Sequence, residues 1–203
     1  MVISAAMLGA AFGFILGDIF QKFGAQSMLG ATAGVAFSKE FAPLFCGFLV
    51  TARAGAAMCA EIATMRVNEQ IDAMRVMSVN PYNYLVAPRV FASVLFMPFL
   101  CCIFILVGVF VSLALGMAYF DVDVGITMVR MREIVKPGHI VDGMVKAAVF
   151  GVIFSSVGCY KGFHAGGGAK GVGKATTEAV VVSLVFILVI NFFLTWLQYD
   201  KVL

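Results

Sequence analysis

The residues that come closest to a known chemical motif lie in Gly168–Ala175, which reads GAKGVGKA. This run differs by one residue from the phosphate-cradling loop G-x-x-x-x-G-K-[ST], whose last residue supplies a hydroxyl for Mg²⁺. Ala175 stands in that position, and an apolar segment rather than a β-strand precedes the run. Nucleotide binding is therefore not expected. The run predicts a flexible basic loop before a helix, with Thr176 or Thr177 as N-cap and Glu178 in the first turn.

Histidine and cysteine side chains are the other candidates for chemistry. No triad or metal-ligand spacing is visible around either His139 or His164. The cysteines lack a histidine at metal-ligand spacing and are interpreted as small buried apolar residues; they are Cys46, Cys59, Cys101, Cys102 and Cys159. We predict no catalytic residue, no metal site and no cofactor.

Composition sets the class of protein that must position these residues. The 203-residue chain is 62% hydrophobic and 12% charged, with a mean hydropathy of +1.02. Soluble domains are about 45–50% apolar and about 25% charged. The chain is therefore predicted to be an integral membrane protein. Its net charge of +3 is too small and too dispersed to indicate nucleic-acid binding.

The uncharged stretches predict an all-α fold with five transmembrane helices in a single domain over residues 1–203. A helix needs about 20 apolar residues to cross the hydrocarbon core. The stretch Val90–Phe120 is too short for two such helices, so one helix bent at Pro98 is expected. The predicted spans cover residues 1–20, 27–52, 88–120, 143–162 and 177–199.

Basic residues in the connecting segments predict the orientation. The segment Arg53–Arg89 holds four arginines and three acidic residues, and the Lys161–Glu178 loop holds three lysines and one glutamate. The Asp121–Lys146 loop is balanced, with four residues of each sign. By the positive-inside rule, the first two segments face the cytoplasm. The amino terminus is then cytoplasmic and the carboxyl terminus lies on the other side of the membrane.

Two features inside the spans could carry function. Gly9, Gly13 and Gly17 repeat every four residues and form a smooth face on the first helix. This face could serve a dimer or gating interface, or ordinary packing within one subunit. Lys39 and Glu40 interrupt the second apolar segment. They could line a polar cavity or contact a lipid headgroup, or they could lie near the membrane interface, with Lys39 reaching the headgroups.

The Arg53–Arg89 segment contains a predicted amphipathic helix at about residues 61–78, which lacks glycine and proline. Apolar residues recur at helical spacing, and Arg66–Glu69 and Asp72–Arg75 are opposite charges three residues apart. Asn80–Pro81 ends the pattern. Mixed charge and a narrow apolar stripe suit docking into a protein groove better than lying on lipid.

Three runs resemble one family of transporters. They are AEIATMRVNEQIDAMRVMSVNPYNYLVAPR (Ala60–Arg89), SKEFAP (Ser38–Pro43) and ATTEAVVVS…NFFLTW (Ala175–Trp196). The chain thereby resembles the MlaE/YrbE-type permeases, the membrane subunits of ABC transporters that work with MCE proteins. The resemblance implies a homodimer in the cell inner membrane, a cytoplasmic ABC ATP-binding subunit and a periplasmic MCE-domain protein. It also implies transport of phospholipids or related lipids between inner membrane and outer envelope, with no enzymatic activity in this chain.

The resemblance also assigns site residues. The coupling helix between spans 2 and 3 would contact the ATPase through Glu61, Thr64, Met65, Arg66, Glu69, Gln70, Asp72 and Met74. Lys39, Glu40 and Phe41 would lie near a lipid cavity at the dimer interface, with Gly9, Gly13 and Gly17 beside it. Family members usually carry an interfacial helix before the first span, so an incomplete amino terminus is expected here.

Two other classes of function stay open at this point. Lys39 and Glu40 could serve a transporter or channel driven by an ion gradient, although the inverted repeats typical of many such proteins are not evident. The Arg53–Arg89 segment could instead recruit a cytoplasmic protein to a membrane scaffold that transports nothing.

Overall fold

The computed structural model describes residues 1–199, which form seven helices and no strand. Five helices are long and apolar enough to cross a membrane: α1 (Val2–Lys22), α2 (Gln26–Val67), α4 (Tyr82–Tyr119), α6 (Pro137–Phe163) and α7 (Gly168–Tyr199). The short helices are α3 (Gln70–Val76) and α5 (Val124–Ile134). The predicted all-α membrane fold with five spans is confirmed. Helices are expected here because they satisfy every backbone polar group within one segment.

Local chemistry explains where several helices begin and end. Gly24, with φ +64°, separates α1 from α2. The Asp123 side chain caps α5 by accepting a hydrogen bond from the Ile126 amide at 3.0 Å. Pro137 is the first residue of α6, a position where its missing N–H costs nothing. Because Asp123 caps α5 and Pro137 begins α6, most of the Asp121–Lys146 segment is helical.

Two predictions about local structure are corrected. Residues 61–78 do not form one helix, since α2 ends at Val67 and α3 begins at Gln70. Gly168–Ala175 is not a loop, because α7 begins at Gly168. The hydroxyls of Thr176 and Thr177 donate to the carbonyls of Val172 and Gly173 inside that helix, so neither residue caps it. The turn is made earlier, where Gly167 and Gly168 have φ of +82° and +67°.

The described chain divides into two compact units. The first comprises Met1–Cys46 and Pro98–Val145, and the second comprises Gly47–Met97 and the described residues from Lys146 onward. The boundaries fall inside α2, α4 and α6.

Small residues bring the helices of the first unit together. A Cβ atom at Gly9 would collide with the Gly108 carbonyl, and one at Gly13 would lie 3.0 Å from the Ser112 Cα. The Ser112 hydroxyl donates to the Gly9 carbonyl at 2.7 Å. The structure therefore shows the face of Gly9 and Gly13 packed within one subunit, which is one of the two interpretations left open by the sequence. This close approach is typical of membrane helices.

Close packing also defines the second unit. A Cβ atom at Gly162 of α6 would lie 2.9 Å from the Cys59 carbonyl oxygen of α2, and one at Gly151 would lie 2.9 Å from that of Ser93. Cys59 and Ala63 of α2 join Ala175 and Ala179 of α7 in a buried cluster. The charged Arg53–Arg89 segment singled out by the sequence belongs to this closely packed unit.

Candidate coupling surface and lipid site

The turn between α2 and α3 is made by Asn68 and Glu69. The amide of Asn68 donates to the Thr64 carbonyl and that of Glu69 to the Arg66 carbonyl, which tightens the end of α2. Glu69 then adopts φ +59°, a left-handed conformation that stops the helix. The chain changes direction here, so α3 packs beside the end of α2 instead of extending it.

An apolar cluster anchors α3 on the second unit. Ile71 is fully buried. It belongs to a cluster of buried side chains that also contains Ile62, Leu85, Cys159 and Phe163. Three partly buried side chains pack against this cluster: Met65, Met74 and Val86. Burial of an isoleucine side chain contributes about 1.5–3 kcal/mol. The predicted site residues Met65 and Met74 therefore face inward, toward the cluster.

Ion pairs brace the same element. The Asp72 carboxylate accepts from Arg66 Nη1 at 2.6 Å and from Arg75 Nη1 at 3.2 Å. The first pair spans six residues, a separation that a continuous helix would not bring together and that the turn at Glu69 makes possible. Arg66 was expected to pair with Glu69, whereas the structure pairs it with Asp72.

A second brace joins the end of α2 to the start of α4. Arg89 Nη2 donates to Glu61 Oε2 at 2.9 Å, across 28 residues of sequence. The Arg89 side chain is the less exposed of the two. Glu61, predicted as an ATPase contact, thus also ties together the two helices that flank α3.

The outward surface of this element is a mixture of polar and apolar groups. Thr64, Glu69 and Gln70 are exposed, as predicted for contact residues. Val76 and Met77 at the end of α3 are 86% and 67% exposed, although both are apolar. Contiguous exposed apolar patches rimmed by polar residues mark interaction sites, whereas scattered exposed apolar residues are normal. We name this surface the α3 face, comprising Glu69, Gln70, Val76 and Met77.

The other predicted site lies in the first unit, where α2 contains a π-helical turn at Phe37–Phe41. Such a turn holds one extra residue and is frequent at functional sites. Lys39, Glu40 and Phe41 are partly buried there, and the Phe41 ring packs edge-on against Phe12 of α1 with centroids 4.9 Å apart. Their part in a lipid cavity, and that of Gly9, Gly13 and Gly17, stays a prediction.

The GAKGVGKA run lies in the first turns of α7. Glu178 Oε2 accepts from Lys161 Nζ at 2.8 Å, and Lys174 Nζ lies 4.0 Å from the other carboxylate oxygen. A phosphate-cradling loop presents free backbone N–H groups, but the residues beyond the first turn of a helix use theirs internally. The arrangement therefore favours a structural ion pair over a nucleotide site.

Sequence reasoning missed several residues. Arg89, Val76 and Met77 lie within the predicted segment, and only the fold shows that Arg89 pairs with Glu61 and that Val76 and Met77 face outward. The predicted Asp72–Arg75 pair is confirmed. Lys146 was counted in a loop but is fully buried in α6, and its ammonium donates to the Thr195 hydroxyl at 2.9 Å. No local signal distinguishes a charged residue that ends a loop from one that enters a span.

These features define a multi-pass, all-helical membrane protein with a short helix, α3, held by ion pairs between its second and third spans. A family model described as Permease MlaE matches residues 1–197. The chain therefore belongs to the MlaE permease family. Members of this family are ABC transporter permeases, so ATP is hydrolysed by a separate subunit and this chain is not an ATPase.

Named relatives agree with this family. The chain is 40% identical to the probable ABC transporter permease protein of Rickettsia conorii over 176 residues, which is 87% of this chain and 68% of the relative. It is 35% identical to the corresponding protein of Synechocystis over 98% of this chain and 76% of the relative. It is also 38% identical to the chloroplastic protein TRIGALACTOSYLDIACYLGLYCEROL 1 of Arabidopsis thaliana, over 96% of this chain and 55% of that protein.

Proposed function

We propose that this permease moves phospholipids or related lipids between the inner membrane and the outer envelope. The proposal includes a homodimer, an MCE-domain protein on the periplasmic side, and an amino terminus in the cytoplasm. Membership of the MlaE family supports the lipid cargo, and the Arabidopsis relative is named after a lipid, trigalactosyldiacylglycerol. The basic residues of the Arg53–Arg89 segment and the Lys161–Glu178 loop support the orientation.

The braced position of α3 is the observation that carries the proposed mechanism. Ile71 fixes α3 to the apolar cluster, Asp72 holds Arg66 of α2, and Glu61 holds Arg89 of α4. A push on the α3 face is therefore transmitted to two membrane-spanning helices rather than absorbed by a loose loop. Transmission requires that the ATPase contacts differ in free energy between its nucleotide states.

The cargo step would follow from that movement. Displacement of α2 and α4 by the ATPase changes the volume of a lipid cavity near Lys39, Glu40 and Phe41 in the proposed dimer. ATP energy then enters by mechanical coupling, in keeping with a chain that is not itself an ATPase. An ion-driven transporter would work without ATP, and a scaffold would bind the ATPase without moving lipid.

Charge reversal on the α3 element tests the proposal. The double variant Glu69→Lys, Asp72→Lys should insert into the membrane normally but fail to co-purify with the ATPase and to move fluorescent phospholipid with ATP. The single variant Asp72→Asn is the control for internal bracing, because it weakens the Arg66 and Arg75 pairs without adding positive charge. Normal ATPase docking in the double variant would contradict the coupling assignment, and transport driven by an ion gradient alone would contradict the ABC mechanism.

A further inference from the structure

Two adjoining apolar pockets lie within the first unit, between α2, the second half of α4, and α5. Their volumes are about 150 and 270 Å³, and Phe110, Leu113 and Met131 line both of them. An engineered cavity of about 150 Å³ is enough to bind benzene. We name the two pockets together the α5 slot.

The lining of the α5 slot suits a flexible hydrocarbon. Methionines contribute at three positions, Met117, Met128 and Met131, and the remaining surface is nearly all carbon. Methionine side chains adapt to irregular apolar shapes. Close packing fixes the slot, because Cβ atoms at Gly30 and Gly34 would collide with Thr127 and Val135 of the α5 region.

One wall of the slot carries a polar group with no partner. Thr127 is 2% exposed and lines the smaller pocket, and its hydroxyl makes no hydrogen bond in the described chain. One turn further along α5, Arg130 Nε is also buried without a hydrogen-bond partner among residues 1–199. Buried polar groups in native proteins nearly always have partners, so each such exception needs an explanation.

The place of α5 in the chain indicates where a partner for Thr127 would come from. With 11 residues, α5 is too short to cross a membrane, and it connects the spanning helices α4 and α6. It therefore lies at the polar boundary of the bilayer, where lipid ester and phosphate oxygens meet the acyl chains. The Thr127 hydroxyl is buried in this structure, so it would have to rotate about the Cα–Cβ bond to reach such an oxygen.

We propose that the α5 slot binds one acyl chain of a membrane phospholipid, with Thr127 donating a hydrogen bond to an ester or phosphate oxygen at the polar end of that chain. This site is separate from the proposed cavity near Lys39, Glu40 and Phe41, although Ser38 lines the larger pocket. We assign the bound lipid as transported cargo, and this assignment rests on the proposed function. The slot itself holds a lipid whether or not that lipid is transported.

Photo-crosslinking tests the slot directly. The permease with its ATPase partner is placed in vesicles of phosphatidylethanolamine and phosphatidylglycerol containing a trace of phosphatidylcholine with a diazirine in one acyl chain. After illumination, mass spectrometry should find labels concentrated on the peptides that contain Leu113 and Met131. The variant Leu113→Trp, which fills the slot, should lower this labelling to the level of the exposed faces. The matched control is Leu95→Trp, because Leu95 is 59% exposed on α4 and outside the slot.

A second variant tests the hydrogen bond. Thr127→Val keeps the shape of the side chain and removes the hydroxyl, so phospholipid retention during detergent washing should fall about two- to tenfold. Retention of a diazirine-labelled alkane without oxygen atoms should not change. Equal loss of both probes, or of neither, would overturn the role of Thr127.

The outcomes separate the slot from the proposed function. Labels spread evenly over the exposed helices and unaffected by Leu113→Trp would overturn the slot, even if ATP-driven phospholipid transfer is observed. Slot labelling that Leu113→Trp removes, in a complex that moves no phospholipid, would support the slot and overturn the proposed function. Transfer that is slowed by Leu113→Trp but not by Leu95→Trp would support both.

Discussion

Lys146 is a charged residue whose side chain is buried among the helices. It is fully buried in the second unit and donates to Thr195 Oγ1, which itself donates to the Asn191 carbonyl. Charged side chains at membrane depth are expensive, face other protein groups and commonly mark functional positions. Lys146 therefore joins α6 to α7 by a polar contact in the midst of apolar packing.

The Thr195 hydroxyl should contribute to the stability of the folded protein, because it accepts a hydrogen bond from Lys146. We expect Thr195→Val to lower the free energy of unfolding by about 1–3 kcal/mol, because the buried Lys146 ammonium loses one of its hydrogen-bond acceptors. Thr195→Ser retains the hydroxyl and is the matched control. Thermal unfolding in detergent measures the difference, and equal melting temperatures for the two variants would contradict the role assigned to this contact.

Gly9 allows the backbones of α1 and α4 to lie close together. A Cβ atom there meets the Gly108 carbonyl, a backbone atom that cannot rotate away. We expect Gly9→Ala to destabilise the protein by about 1–3 kcal/mol, as overpacking typically does. Ala11→Leu, on the exposed side of α1, should leave the melting temperature in detergent unchanged. A tolerated Gly9→Ala would mean that α1 and α4 can separate without loss.

At the scale of an element, α3 combines a buried anchor with an exposed tip. A seven-residue helix is too short to be stable by itself. Its structure therefore depends on Ile71 and on the Asp72 ion pairs. The two functions of the element, being held and being contacted, fall on different residues.

Separate variants should resolve those two functions. Ile71→Ala should open α3 locally, at a cost of about 2–5 kcal/mol, and raise amide hydrogen exchange over residues 68–80. Val76→Ala should leave exchange unchanged while weakening ATPase binding, because Val76 is exposed in the isolated chain. If Val76→Ala also raised exchange, the division into anchor and tip would be wrong.

At the scale of the whole molecule, the five candidate spans of residues 1–199 predict that the two ends of this range lie on opposite sides of the membrane. One candidate span, α4, separates α3 from α5 along the chain, so the same count predicts that they lie on opposite sides. In the proposed orientation, which follows the positive-inside rule, α3 lies in the cytoplasm.

Cysteine labelling tests that topology. In a variant without the five native cysteines, Met77→Cys should react with a membrane-impermeant maleimide only after the membrane is opened. Val124→Cys should react in intact cells or spheroplasts, and both positions are exposed on the chain. The reverse pattern would invert the proposed orientation without changing the number of spans.

Much of the site was predictable from local patterns, and the rest depended on long-range contacts. The charges of Glu61, Arg66 and Asp72 marked the α3 region, and three sequence runs indicated the family. The helix break at Glu69 could not be predicted from the sequence, because residues 61–78 have helical periodicity and no glycine or proline. Burial of Ile71 against Phe163, far along the chain, stabilises the bent form over a straight helix.

The sequence by itself determined the membrane class, the five spans and the place of the charged segment between spans 2 and 3, because hydropathy and charge are sums over neighbouring residues. Tertiary structure decided which charges pair, that Lys146 is buried, and that Thr127 faces an apolar slot. Those outcomes depend on groups brought together from distant positions, such as Lys146 and Thr195, 49 residues apart. No window along the chain contains both partners, so only the packing of the helices could reveal them.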